Sequence, residues 1–85
     1  MTVLERDPYV YHVEATDWGW QLTRDGRHRP LWESQRRPEV LVYAQRMAAN
    51  NRPSRLIVHL EDGSVEWEEF FESEEREPGR ADRRW

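Results

Sequence analysis

Three histidines, His12, His28 and His59, supply the chain's only imidazole ligands, and there is no cysteine. A structural zinc site needs four ligands, usually delivered as closely spaced Cys or His pairs. These histidines show no such spacing, so the sequence predicts no metal site and no cofactor. His12 and His59 each fall in a segment that alternates like a strand, where they would share an outward face with Glu66. Hydrogen bonds to neighbouring carboxylates or backbone are enough to account for them. The hydroxyls Ser34, Ser54, Ser64 and Ser73 lie in no nucleophile motif, and no glycine-rich phosphate loop is present. A carboxylate pair doing acid–base chemistry needs a cleft. An 85-residue chain leaves little room for one. The expectation is a protein that is not an enzyme.

Charge is where the sequence is least ordinary. Residues 61–77 hold nine carboxylates and one arginine, a net −8 in a chain whose total is −4, so the remainder is +4. An acidic carboxyl end of this kind repels itself and stays extended. It also attracts a basic surface. Glu66, Glu68, Glu69, Phe70, Glu72, Glu74 and Glu75 form the expected contact set, with Phe70 as the apolar anchor that charge alone lacks. The expected partner is a basic protein surface. An inhibitor of phage or mobile-element origin that imitates nucleic acid is a special case of the same reading. The opposite sign gathers upstream: Arg24, Arg27, Arg29, Arg36 and Arg37 surround Trp32. Bases interleaved with an aromatic suit phosphate contact plus stacking, so a nucleic-acid-binding adaptor is the alternative. The overall acidity weighs against it.

These groups must be positioned by few elements. Residues 9–15, YVYHVEA, alternate with Tyr9, Tyr11 and Val13 on one face and Val10, His12 and Glu14 on the other. TDWG supplies turn chemistry, and WQLTR resumes the alternation, which reads as a β-hairpin. Asp25-Gly26 marks another turn. Residues 28–34 offer a short third strand, with Pro30 placing it at an edge or a strand start. Residues 38–50 form the one convincing helix, with Val40, Ala44, Met47 and Ala48 in a stripe. Arg36 or Arg37 occupies a poor N-cap, and Asn50 and Asn51 suit a left-handed C-terminal cap. A two-residue Asp62-Gly63 loop would then pair Leu60 with Val65, His59 with Glu66, Val58 with Trp67 and Ile57 with Glu68. The core expected from these faces is Trp20, Leu22, Val40, Ala44, Met47, Val58, Leu60 and Trp67. Trp67 is the side chain expected to cost most on truncation.

The charged amino terminus has no apolar segment, and the longest apolar run, VLVYA, is far too short to span a bilayer. With no cysteine to oxidise, these features predict a cytoplasmic protein without membrane contact. Hydrophobic residues make up 36% of the chain, so the five tryptophans must carry much of the burial.

Tyr11-His12-Val13, Gly19-Trp20, Ala44 with Ala48, and Val58-His59 followed by Asp62-Gly63 occur in an order that resembles a small bacterial family of unknown function, DUF2188. Its members read Tyr-His-Val, Gly-Trp, a helix with alanines four apart, and Ile-His-x-x-Asp-Gly. The resemblance covers residues 9–70. The chain departs from it in placing Arg36 where a threonine usually caps the helix and Val40 where alanine is common. The resemblance implies a compact αβ domain with an antiparallel sheet and brings no catalytic residues. Combined with the residue patterns, it gives an α+β domain over 9–71, between a flexible 1–8 and a disordered acidic tail over 72–85. The domain is an antiparallel sheet of four or five strands, β-β-(β)-α-β-β, packed on one helix. The expected role is a non-catalytic interaction or regulatory module.

Overall fold

The computed structural model describes residues 7–73. The tail expectation for residues 74–85, with Glu74 and Glu75, lies outside them, as does the amino-terminal one for residues 1–6. The chain runs β1 (Tyr9–Ala15), β2 (Trp20–Arg24), β3 (Trp32–Ser34), α1 (Arg37–Asn50), β4 (Ser54–His59) and β5 (Val65–Phe71). The element order and the two-layer α+β architecture are those read from the sequence. One pairing differs. The five strands lie in the order β3-β2-β1-β4-β5, and the central neighbours β1 and β4 are parallel, so the sheet is mixed and not wholly antiparallel. The crossover through α1 causes this: α1 carries the chain back across one face, so β4 enters beside β1 running the same way.

The inner face of the sheet meets α1. Tyr11, Val13, Leu22, Leu56 and Val58 from three strands are buried against Val40, Ala44 and Ala48 of the helix. The helical three recur every fourth residue, so they form one stripe, and the two alanines let the helix axis approach the sheet. Ser54 is the one buried polar residue among those described, and its hydroxyl donates to Ala48 O at 2.6 Å. That bond satisfies a terminal helix carbonyl and ties α1 to the start of β4. The N-terminus has no side-chain cap on Arg36, as read from the sequence. At the other end Asn51 has φ −126°, so no left-handed cap forms. Its side-chain amide donates to Met47 O instead.

Four members of the expected core need correction. Leu60 is 41% exposed, because the β4–β5 register slips after Val58: His59 faces Val65, not Glu66. This bulge ends the alternation before Leu60 can turn inward. Trp67 pairs with Val58 as expected but sits on the edge strand, packed against the core and only half-buried. Trp20 and Met47 are likewise peripheral, whereas Tyr11, Val13, Ala48 and Leu56 are in the centre. Gly19 closes the β1–β2 turn beneath the β3–α1 junction, where an added Cβ would lie 2.7 Å from both Gln35 Cα and Ser34 O.

Leu56→Ala should therefore cost about 2–5 kcal/mol and exceed Trp67→Ala in a chemical-denaturation comparison. The reverse order would place the centre of the core on the wrong strand. Gly19→Ala should lower stability by about 1–3 kcal/mol, because both near atoms are backbone and cannot rotate away. An unchanged melting temperature would show that this junction has slack.

Candidate functional site

The outer face of the sheet carries polar side chains from β1, β2, β4 and β5, set there by alternation opposite the core residues. His12 and His59 meet on this face. Their sequence separation is 47, yet His12 Nδ1 lies 3.0 Å from His59 Nε2 and the rings are 5.2 Å apart at 22°. Parallel pairing sets His12 beside Ile57, and His59 is two residues further along the same face. The remaining ring nitrogens point outward to acceptors. His12 Nε2 is 3.0 Å from Asp25 Oδ1, and His59 Nδ1 is 3.0 Å from Gly63 O. Glu14 stands next along β1, its two carboxylate oxygens accepting from Gln21 Nε2 and Thr23 Oγ1. One nitrogen of each histidine and one Glu14 oxygen lie within 4.8 Å of one another. A shallow pocket of about 260 Å³ adjoins them, lined by Glu14, Ala15, His59, Leu60, Glu61 and Gly63. Period-two alternation had already put His12 and His59 on one face. It did not put them on neighbouring strands, and it offered Glu66 in place of Glu14. His28 lies apart, exposed in the β2–β3 connection.

The acidic set divides. Glu66 accepts from Arg37, which also donates to His59 O and lies 4.9 Å over the Trp20 ring. Glu68 pairs with Arg55 at 2.8 Å. Glu69 and Glu72 have no ion-pair partner among the described residues. Phe70 is 53% exposed beside them. All of these lie on or just past β5, which among the described residues hydrogen-bonds to β4 along one side only.

The arginine set also divides. Arg24 packs its guanidinium 4.2 Å over Tyr9. Arg36 pairs with Glu39, and Arg37 is committed as above. Arg27 and Arg29 are exposed in the β2–β3 connection. Trp32 stacks on Tyr43 with centroids 4.7 Å apart, and both line a shallow hollow of about 380 Å³ with Pro38, Glu39, Val42 and Arg46. Trp32 and Tyr43 thus tie β3 to α1, and Arg37 ties the start of α1 to β2, β4 and β5. Of the serines, Ser54 is used structurally, Ser34 donates to Glu39, and Ser64 donates to Asp62.

Asp62 closes the β4–β5 turn. Its carboxylate accepts the Ser64 hydroxyl at 2.7 Å and the Ser64 amide at 2.9 Å, the first being the larger influence. Both bonds favour the ionised form and hold the group below the usual aspartate value of 3.8. A depressed carboxylate supports the turn above the ordinary value and stops doing so as pH falls through the lowered one. The Ser64 amide resonance should accordingly titrate with a midpoint below 3.8, and Asp62→Asn should abolish that titration.

A family model described as an uncharacterized protein conserved in bacteria (DUF2188) matches residues 11–71, from the third residue of β1 to the last of β5. No curated protein and no solved structure matches the chain. Among the described residues no helix is long and apolar enough to cross a membrane.

Proposed function

We propose that this chain, which belongs to the DUF2188 family of bacterial proteins, is a non-catalytic protein-interaction module working in the cytoplasm, and that it engages a basic partner along β5. The observation that carries this reading is the outer side of β5, which no strand among the described residues pairs. Seven residues of strand lie at the sheet edge, and five of them, Val65, Glu66, Glu68, Glu69 and Phe70, are exposed. An edge strand presents a row of unpaired backbone donors and acceptors, which an extended segment of another protein can complete. Glutamates along such an edge discourage pairing with a second copy of the same acidic strand and favour one rich in arginine or lysine. Phe70 supplies the apolar contact. Glu69 and Glu72 are available for direct pairing, while Glu66 and Glu68 would have to exchange an internal arginine for an external one. Exposed ion pairs are weak enough for that exchange to cost little. An inhibitor that imitates nucleic acid is the case in which the basic partner is itself a nucleic-acid-binding protein.

The test is affinity capture with the full chain from nuclease-treated bacterial lysate, followed by binding of the purified partner. The parent should retain a protein with a basic surface, and its affinity should weaken with rising salt. The double variant Glu69→Arg, Phe70→Glu should lower that affinity at least tenfold while leaving the melting temperature unchanged. A partner bound equally by both forms, or one lost on nuclease treatment alone, would overturn this reading.

A further inference from the structure

We infer that His12, His59 and Glu14 form a binding site for a divalent transition-metal ion of the zinc class. The argument rests on hydrogen-bond accounting at the histidine pair. A neutral imidazole has one N–H and one lone pair. His12 Nε2 faces the Asp25 carboxylate and His59 Nδ1 faces the Gly63 carbonyl. Both of these partners only accept, so both outward nitrogens carry the proton. With both rings neutral, the two inward nitrogens, His12 Nδ1 and His59 Nε2, then face each other across 3.0 Å as lone pairs. Two facing lone pairs repel unless a positive charge sits between them.

A proton shared as an N–H···N hydrogen bond meets that requirement, and so does a metal ion held by both nitrogens. With zinc–nitrogen bonds of about 2.0–2.1 Å at a tetrahedral angle, two coordinating nitrogens stand about 3.3 Å apart, a few tenths of an ångström from the spacing seen. The outward contacts are those that orient metal-binding histidines: one imidazole N–H on a carboxylate, the other on a backbone carbonyl. Glu14 supplies an oxygen within 4.8 Å of one nitrogen of each histidine. It is two residues from His12 on the same strand, so its carboxylate leaves on the same face. Two imidazoles and a carboxylate suit zinc and its first-row neighbours, while hard cations prefer all-oxygen sets. Three protein ligands leave at least one position open, and the 260 Å³ pocket beside Glu14 and His59 provides space for water or a small anionic group there. The site lies on the outer sheet face and is independent of the β5 edge.

The experiment uses chelator-treated full-length protein titrated with Co²⁺, read by its visible absorption, then with Zn²⁺ by displacement and calorimetry. One equivalent should bind. His12→Gln and His59→Gln should each weaken binding at least a hundredfold, and Glu14→Gln and Asp25→Asn about tenfold. His28→Gln should change nothing. Circular dichroism of each variant checks that the fold survives. Asp25→Asn and Glu14→Gln keep the hydrogen-bonding shape of their sites, so they remain informative should a histidine variant unfold. Absence of binding by the parent would overturn the proposal. Binding that survives the His12, His59 and Glu14 changes would also overturn it, since the ion would then sit on the acidic carboxyl segment.

Discussion

Parallel pairing of β1 with β4 is the constraint on which the rest of the molecule depends. On the inner face it sets Tyr11 beside Leu56 and Val13 beside Val58, giving a four-residue apolar floor for Val40, Ala44 and Ala48. On the outer face the same register brings His12 and His59 together. At one flank it leaves β5 at an edge, and at the other it lets β2 pair antiparallel to β1 and receive the short β3. The β1–β4 contacts, unlike the β1–β2 hairpin, are far apart in sequence, so their loop-closure entropy is offset only when the helix docks. The hydroxyl of Ser54, the first residue of β4, bonds to Ala48 O and anchors that docking where the crossover returns to the sheet.

Among the described residues the core of eight buried hydrophobic side chains is small, and the surrounding half-buried aromatics widen it. They do so with arginines laid across them: Arg24 over Tyr9, Arg37 over Trp20, Arg52 over Phe71. A guanidinium covers an aromatic face with its flat, weakly hydrated plane while keeping its donors free for carbonyls and carboxylates. Arg37 does both, reaching His59 O and Glu66 from the Trp20 face. A chain this polar can thus enclose its rings without more aliphatic residues. Its use of arginine alone among the basic residues has a packing role as well as an electrostatic one.

Much of the local structure was legible because each element carries its own periodicity. Alternation gave the faces of β1 and β2, the alanine spacing gave the helix stripe, and Asp62-Gly63 gave the last turn. Two features were not legible, for one reason: both depend on what lies opposite. The parallel pairing of β1 with β4 follows from a crossover that no single segment encodes. The bulge after Val58 trades one step of alternation for a shift in register, which exposes Leu60 and changes the partner of His59. The histidine pair was half legible. Spacing placed both rings on the outer face, but their adjacency required the strand order, and Glu14 drew no notice while it read as an ordinary outward glutamate. For the acidic segment, alternation accounted for the outward glutamates of the hairpin and could not anticipate the arginines that meet them.

That compensation explains how an uncovered sheet face is tolerated. The helix shields one side only, yet the outer side offers few unanswered groups. Glu14 is held by Gln21 and Thr23, Glu68 by Arg55, and His12 by Asp25. Cross-strand polar pairs of this kind make a half-buried sheet face self-sufficient in water, so exposure alone does not demand a partner. Against that background the two inward histidine nitrogens stand out, because both outward neighbours accept and the inward pair must share one proton or one cation between them. The side of β5 that no described strand pairs is the other exception, being backbone that no side chain of its own strand can satisfy. A stable small domain could have avoided both, the first by a glutamine in place of either histidine and the second by a proline in the edge strand.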